Sequence, residues 1–379
     1  GYLVLSKLLL PNSFSKADFK LAIMSLLGFL FYGLAGLGVI LLMKLLSYFA
    51  IGRDFASSHG ISLTDSSRLG GLAITIVVGC YLFGILMLTP YVPGAMRSNQ
   101  EFYLWLAIAA CALLGLAEDL KADFLTPILR LTCKFLVFGS LLFFWPNLVP
   151  DKIGIPGLDQ ALQIPIVAWS VMTIFCVGFI NAFNMADGAN GLVPGIATAA
   201  FAVFFIEYGR PTEGFFLFAC LIFLIFNVVS GWFFLGDMGS YGIGAVIVAY
   251  SLNGVVAGEF SIWFMASLLA YPCLDFLVSI IRRLKAGRSP FSADNDHLHN
   301  RLHRQLKRVV KSRVLSNSLT GLIISASSAG LTLFAFMDSW WLPNSPEWII
   351  LFTAEIMLYA VAFKLTTDES SATQFAEPL

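Results

Sequence analysis

An asparagine-rich segment, residues 181–191, interrupts a stretch of sequence that is otherwise apolar enough to lie within a membrane. Its polar side chains are Asn181, Asn184, Asp187 and Asn190. Such groups are costly at membrane depth unless they have partners. Amide and carboxylate oxygens suit Mg²⁺ or a nucleobase, and Gly188 permits close approach of a ligand. The alternative is an ordinary polar turn, but the density of polar residues favours a site.

Acidic residues stand at two further interruptions. Glu118 and Asp119 end an apolar run, and two adjacent carboxylates can hold a hard cation or take a proton. A solvated helix end is the alternative for this pair. Asp237 lies in the Gly-rich turn 236–240, just ahead of a predicted helix whose N-terminal N–H groups favour phosphate. An ordinary N-cap would explain this turn equally well.

Basic and histidine residues are concentrated in residues 282–313, which contain ten of the 23 Lys and Arg residues. His297 and His299 are two residues apart, so a regular helix would direct them to different faces, whereas an extended segment would bring both to one ligand. The loop has no Cys and no HExxH pattern. Phosphate contact by these histidines and Arg301 is therefore favoured over a zinc site.

Three charged residues within apolar runs have two interpretations each. Arg130 and Lys134 are separated by one helical turn and either meet phosphate or lie at the cytoplasmic end of a span without a ligand. Asp275 would lie about 10 Å into the membrane. An acid at that depth is either functional or a structural partner of a base such as Lys134.

Composition places the chain among membrane proteins. Of its 379 residues, 58% are hydrophobic and 12% are charged, against about 25% charged in soluble domains. The net charge of zero gives no reason to expect a nucleic-acid partner. The six cysteines lie in or beside apolar stretches without CxxC spacing, which indicates packing residues. We therefore expect an all-α polytopic membrane protein with ten or eleven transmembrane helices.

Apolar runs of about 20 residues, the length that crosses a bilayer, give the predicted organisation. They lie near 21–50, 71–90, 102–117, 127–147, 164–182, 189–207, 214–235, 241–257, 261–281, 315–336 and 347–365. We expect an N-terminal segment, a single transmembrane catalytic domain and a polar C-terminal tail, at 1–20, 21–365 and 366–379.

The distribution of positive charge predicts the orientation. Cytoplasmic loops carry an excess of Lys and Arg, so residues 282–313 are expected in the cytoplasm. Counting spans from there places the loops near 51–70, 118–126, 183–188 and 236–240 on the same side. Every polar segment described above then collects on one face, and so do all four histidines of the chain.

These motifs recur in the same order in the polyprenyl-phosphate N-acetylhexosamine-1-phosphate transferases, which the chain resembles over about residues 20–340. The matching segments are 67–71 (SRLGG), 118–119, 181–191, 236–240, and 289–291 with 296–299. The family includes the translocase of peptidoglycan synthesis and the enzymes that start O-antigen, enterobacterial common antigen and teichoic-acid chains. The peptide-binding elaborations of the translocase are not apparent and its characteristic first-loop sequence is absent, so the resemblance favours the polysaccharide-initiating branch.

The resemblance implies a cation site and a catalytic group. Asn184 and Asp237 look like ligands of Mg²⁺, with Mn²⁺ as the alternative cation. Asp119 matches the second acid of the family's acidic pair, and Asp187 matches the Asp of its Asn/Asp/Gly loop. Glu118 departs from the family, where an Asp with its shorter side chain is usual. Whether Asp119 accepts a proton or only orients the site stays open.

The resemblance also implies the substrate contacts. Asn190 resembles the position that contacts uracil. His297 and His299 match a motif that supports the diphosphate or the sugar, although Asn300 stands where many relatives have a third His. Arg68 is similar to a residue of the first cytoplasmic loop that lines the site. The remaining predicted substrate contacts are Asn181, Arg130 and Arg301.

The implied reaction is transfer of a HexNAc-1-phosphate from a UDP-N-acetylhexosamine to undecaprenyl phosphate, with release of UMP. It would start a cell-surface polysaccharide at the cytoplasmic face of a bacterial inner membrane. The expected partners are these two substrates and the lipid bilayer, with no nucleic acid, and a homodimer stays open. The alternative is a polytopic transporter of an anionic substrate. A transporter would hold its polar residues near the bilayer midplane, and a non-catalytic scaffold would not need them to converge.

Overall fold

The computed structural model describes residues 53–54, 66–67, 70–72, 74–76, 78–79, 99–121, 124–231, 234–290, 292 and 294–366. The predicted N-terminal segment, the first predicted span and Arg68 lie outside these residues, as does all but the first residue of the predicted tail. In the described part the chain is predominantly helical, and the predicted all-α class is confirmed.

The helices in the first half of the described chain are α1 (Asn99–Leu120), α2 (Pro127–Phe144), α3 (Leu158–Leu162), α4 (Pro165–Met185), α5 (Leu192–Tyr208), α6 (Pro211–Ser230) and α7 (Gly236–Val256). The second half contains α8 (Ile262–Leu268), α9 (Ala270–Lys285), α10 (Leu298–Val309), α11 (Arg313–Ser325), α12 (Leu331–Met337) and α13 (Trp348–Leu365). A 3-10 turn lies at Pro146–Leu148, and a π-helical turn, Ala326–Gly330, joins α11 to α12.

The nine predicted spans from 102–117 onwards all correspond to helices. Seven are long and apolar enough to cross a membrane: α1, α2, α4, α6, α7, the joined α11–α12 and α13. Helices α8 and α9 form one broken span with a bend of 81°, and α5 is apolar but only 17 residues long. Of the predicted span 71–90, the described residues are helical.

Two very short strands lie in the predicted first cytoplasmic loop. Strand β1 (Arg53–Asp54) pairs antiparallel with β2 (Ser66–Ser67), so that Arg53 lies opposite Ser67. This pairing closes the loop just before the Gly70–Gly71 segment.

Local sequence explains where several helices begin and end. Prolines open α2, α4 and α6, where a missing N–H leaves no bond unmade. The Thr126 hydroxyl caps α2 by accepting from the Leu129 N–H at 3.3 Å. Gly209 and Gly231 end α5 and α6 with φ of 63°, a left-handed conformation that glycine adopts without strain.

Helix α7 is the centre of the bundle and packs against α1, α4 and α5. The segments that pack against its N-terminal end approach so closely that their contact positions have room only for glycine. A Cβ on Gly115 of α1 would lie 2.2 Å from the Asp237 carbonyl oxygen, and a Cβ on Gly71 would lie 2.1 Å from the Gly239 nitrogen. Small residues permit such close approach between helices in membranes. The turn that carries Asp237 is therefore held between α1 and the Gly70–Gly71 segment.

Candidate active site

The two predicted cation ligands lie side by side at one end of the bundle. Asn184 is in the last turn of α4, and Asp237 is in the first turn of α7. The Asn184 Nδ2 donates to Asp237 Oδ1 at 2.7 Å and to the Ser240 hydroxyl at 2.8 Å. The Asp237 side chain is 29% exposed. The carboxylate is therefore partly accessible at this end of the bundle.

Asp119 holds the backbone on which Asp237 stands. Its Oδ1 accepts from the Asp237 N–H at 2.9 Å, and its Oδ2 accepts from the Met238 N–H at 2.8 Å. These N–H groups begin α7 and have no partner within the helix. A carboxylate is also favoured there by the helix dipole. Asp119 is buried, and both of its oxygens accept from the backbone.

Glu118 and Arg130 extend this arrangement into α2. The buried Glu118 accepts from the Leu125 N–H at 2.7 Å, and its other oxygen lies 3.3 Å from Arg130 Nη1. The same guanidinium nitrogen lies 4.0 Å from Asp237 Oδ2. Arg130 therefore stands between two carboxylates at the edge of the site and is partly exposed.

The Gly70–Gly71 part of the SRLGG motif meets the same turn. The N–H groups of these glycines donate to the carbonyl oxygens of Phe234 and Leu235 at 3.0 and 2.7 Å. These backbone contacts join the end of the first predicted cytoplasmic loop to the residues just before Asp237. The neighbouring Arg68 lies outside the described residues.

The buried Lys134 and the partly buried Asn181 form a polar pair behind the site. Lys134 Nζ donates to Asn181 Oδ1 at 2.6 Å and lies 3.8 Å from the centre of the Tyr241 ring. The Asn181 amide donates in turn to the Val177 carbonyl at 2.7 Å. Lys134 is thus a structural partner of Asn181, and the pairing with Asp275 that the sequence suggested is wrong.

Asp275 instead binds the histidine segment. It is 3% exposed, and its Oδ2 lies 2.6 Å from His297 Nδ1. Its Oδ1 accepts from the Leu298 N–H at 3.0 Å and from the Tyr359 hydroxyl at 2.9 Å. One carboxylate of α9 therefore connects the start of α10 to α13.

His297 and His299 lie against each other. His297 has an extended backbone just before α10, and its ring stacks parallel to that of His299, with 5.3 Å between the centres. The Tyr271 hydroxyl lies 2.9 Å from His299 Nδ1. Burial lowers the pKa of His299 to about 4, so this imidazole is neutral at pH 7. An added Cβ on Gly188 would lie 2.2 Å from His299 Nε2, so the pair abuts the turn that follows Asn184.

The guanidinium of Arg301 binds other residues of the chain. It forms a two-pronged ion pair with Asp296, with both N···O distances 2.7 Å. Its guanidinium lies 3.9 Å from the centre of the Phe363 ring. Arg282 also lies 3.2 Å from Asp296 and hydrogen-bonds Asp294. Arg301, a predicted substrate contact, is thus buried and ties α10 to α13 in this structure.

Asn190 lies in a cluster of three asparagines. Its N–H donates to Asn317 Oδ1 at 3.0 Å, and its Oδ1 accepts from Asn227 at 3.4 Å. The Gly191 N–H donates to Asn227 Oδ1 at 2.6 Å. Asn190 is buried here, whereas Asp187 in the same loop is partly exposed. We did not predict roles for Asn227 and Asn317, although a single Asn within an apolar span is a signal for them.

The donor set around Asp237 fits Mg²⁺ in the presence of a substrate. In the described part of the chain, no three or more His, Cys, Asp or Glu residues are grouped as a metal site. Mg²⁺ is usually held by one or two carboxylates together with substrate phosphates and water. Asp237 and the adjacent Asn184 supply a set of this kind, which a diphosphate would complete.

The chain is similar in sequence to several known proteins. The family model described as Glycosyl transferase family 4 matches residues 102–255. The decaprenyl-phosphate N-acetylglucosaminephosphotransferase of Mycobacterium leprae is 28% identical over 65% of this chain and 69% of that protein. The undecaprenyl-phosphate alpha-N-acetylglucosaminyl 1-phosphate transferase of Escherichia coli O157:H7 is 28% identical over 78% and 79% of the two chains. The phospho-N-acetylmuramoyl-pentapeptide-transferase of Oceanobacillus iheyensis is 28% identical over 63% and 76%.

Proposed function

Because the chain belongs to the polyprenyl-phosphate N-acetylhexosamine-1-phosphate transferase family, we propose that it transfers a HexNAc-1-phosphate from a UDP-N-acetylhexosamine to undecaprenyl phosphate. The products are UMP and an undecaprenyl-diphospho-sugar. The reaction takes place on the cytoplasmic face of a bacterial inner membrane and starts a cell-surface polysaccharide. The observation that carries this proposal is the contact between Asn184 and Asp237, two residues 53 positions apart in the chain.

In this proposal Asn184 and Asp237 would hold Mg²⁺. A cation bound there would offset the negative charge that develops on the leaving UMP. An oxygen of the lipid phosphate attacks the β-phosphorus in line, and the bond from that phosphorus to the bridging oxygen breaks. The electron pair leaves with UMP. Since a phosphomonoester has a second pKa near 6, the attacking phosphate is largely a dianion at neutral pH and needs little help from a base.

The chain's own residues then act mainly by position and charge. Asp119 holds the turn that carries Asp237, which supports orientation of the site over proton transfer. Arg130, close to Asp237, adds positive charge beside the position of the diphosphate. His297 and His299 approach from the opposite loop, where Gly188 meets His299. Preorganised charge of this kind is the main source of catalysis in phosphoryl transfer.

Substitution of Asp237 tests the proposal. Purified protein is incubated with undecaprenyl phosphate, Mg²⁺ and a panel of UDP-sugars, and UMP release is measured. We expect Asp237→Asn to abolish turnover without changing the thermal unfolding midpoint or the behaviour in detergent. Asp338→Asn, an exposed acid after α12, is the matched control and should be fully active. Near-normal turnover of Asp237→Asn would remove the cation assignment, and substrate uptake without UMP release would favour the transporter alternative.

A further inference from the structure

The contacts of Asp275 single it out among the buried acids of the described residues. It lies in α9, within the broken span, and accepts from an imidazole, a backbone N–H and a tyrosine hydroxyl. Taking a carboxylate out of water is expensive and is sustained only by several good hydrogen bonds. A buried apolar residue would fill this position at lower cost. An ionisable group retained there points to a role in the site.

The hydrogen bonds around Asp275 determine how His297 is protonated. An ionised carboxylate can only accept, and Asp275 already accepts from Leu298 and Tyr359. The His297 Nδ1 at 2.6 Å therefore carries the proton of this contact. This leaves Nε2 as the nitrogen available for a further partner. A carboxylate in this place orients an imidazole ring and fixes its tautomer.

The second half of the arrangement connects this pair to the transfer site. The His297 ring stacks on the neutral ring of His299, and His299 Nε2 lies against Gly188. Gly188 is four residues after Asn184, in the turn that follows α4. A rotation of His297 would thus be transmitted through His299 to the loop beside the proposed cation site.

We infer that Asp275 is a positioning residue of the transfer reaction, which fixes the tautomer and orientation of His297 and is itself held by Tyr359 of α13. This inference rests on the proposed function, because it assigns His297 to the site of phosphoryl transfer. It extends the functional part of the chain to α9 and α13, which lie beyond residues 102–255 matched by the family model. The competing interpretation is that Asp275 only caps the first turn of α10.

A double-mutant cycle separates the two interpretations. The variants are Asp275→Asn, His297→Gln and their combination, measured by UMP release with the UDP-sugar that the wild-type protein uses. Partners that orient an imidazole typically contribute about 10- to 100-fold to activity. We expect Asp275→Asn to lower kcat by about that factor in the wild-type background and to have no further effect when His297 is already Gln. An equal loss in both backgrounds would show that Asp275 acts independently of His297 and would overturn the inference.

Two further variants keep the test sound if Asp275→Asn folds poorly. Tyr359→Phe removes one donor to Asp275, and we expect it to lower kcat by a smaller factor, again only while His297 is present. Glu355→Gln is the matched control, because it also removes a buried carboxylate, one turn away on α13, whose hydrogen bond is to Thr332 at 3.2 Å. It should keep wild-type kcat. A loss of kcat in Tyr359→Phe that persists in the His297→Gln background would also overturn the inference.

A spectroscopic measurement makes failure of the inference distinguishable from failure of the proposed function. The four histidines of the chain can be labelled with ¹⁵N and assigned by substitution. We expect His297 to show a protonated Nδ1 in the wild-type protein and a changed signal in Asp275→Asn. An unchanged signal refutes the positioning role. A wild-type protein that transfers no sugar phosphate refutes the proposed function instead, and full activity of His297→Gln refutes only the inference.

Discussion

Replacement of Asp119 tests whether this acid acts on the backbone of α7 or on the substrate. Its two oxygens accept from the Asp237 and Met238 N–H groups. A hydrogen bond to a charged group contributes about 1.5–3 kcal/mol, so Asp119→Ala should lose ~3–6 kcal/mol of local stability, on the same principle. Asp119→Asn keeps one accepting oxygen and turns an amide N–H₂ toward the other backbone N–H. It should lose about half as much.

The assay combines thermal unfolding in detergent with the Mg²⁺ dependence of UMP release. We expect both variants to unfold at lower temperature, Asp119→Ala more so, and to need more Mg²⁺ for half-maximal activity because the turn that carries Asp237 is loosened. Asp159→Ala is the matched control for Asp119→Ala. Asp159 also accepts from two backbone N–H groups, of Ile153 and Gly154, at 2.8 and 3.2 Å, but away from the site.

Asp159→Ala should lower stability, because it removes both hydrogen bonds, and leave the Mg²⁺ dependence unchanged. One result would refute the reasoning: Asp119→Asn keeps the wild-type unfolding midpoint and Mg²⁺ dependence, but its kcat is lower by about 1000-fold or more. Loss of direct proton transfer in the chemical step can account for an effect of that size. That result would assign Asp119 to the chemistry itself.

Two other substitutions, at Gly188 and Asp294, probe the contact of the turn after α4 with His299 and the ion pair that precedes the histidine segment. Gly188→Ala places a Cβ 2.2 Å from His299 Nε2 and should lower kcat by about 10- to 100-fold, because small displacements of active-site groups have effects of that size. The control is Gly178→Ala, whose Cβ meets nothing within 4 Å and which should keep wild-type kcat. Equal kcat values of the two variants would contradict the prediction. Burial alone would raise the pKa of Asp294, but hydrogen bonds from Arg282 and the Asp296 N–H outweigh it and lower the pKa from 3.8 to about 2. The stability that Asp294 contributes is therefore complete above about pH 4 and lost as pH falls toward 2. The unfolding midpoints of the wild-type protein and Asp294→Asn should accordingly converge at low pH. A difference that stays constant with pH would argue against the ion pair of Asp294 with Arg282.

The transmembrane helices could be predicted well because the bilayer leaves few choices. A backbone in lipid must satisfy its hydrogen bonds within one segment, so each run of about 20 apolar residues predicts one helix. The break at Leu269 between α8 and α9 was not predicted. The hydropathy pattern does not show this break, because the residues on both sides of it are apolar. Pro272, in the first turn of α9, was the available signal for a helix start.

The site was predicted in its residue types and less well in its contacts. Counting the spans in the sequence places the helix ends that carry Asn184 and Asp237 on the same side of the membrane. In the structure the two side chains are in contact. The contacts of Asp119 with the start of α7 and of Asp275 with Tyr359 join residues 118 and 84 positions apart. No local pattern encodes such pairs. The burial of Asn190 beside Asn227 and Asn317 was not predicted for the same reason, because these contacts also join distant parts of the chain.

The most direct measurement is release of UMP by the purified protein. With Mg²⁺, a panel of UDP-N-acetylhexosamines and undecaprenyl phosphate, we predict UMP release with at least one sugar and formation of an equal amount of undecaprenyl-diphospho-sugar. Release should stop when either the lipid phosphate or Mg²⁺ is withheld. If a folded wild-type protein releases no UMP with any of these sugars, or releases it equally without the lipid phosphate, sugar-phosphate transfer to a polyprenyl phosphate is contradicted.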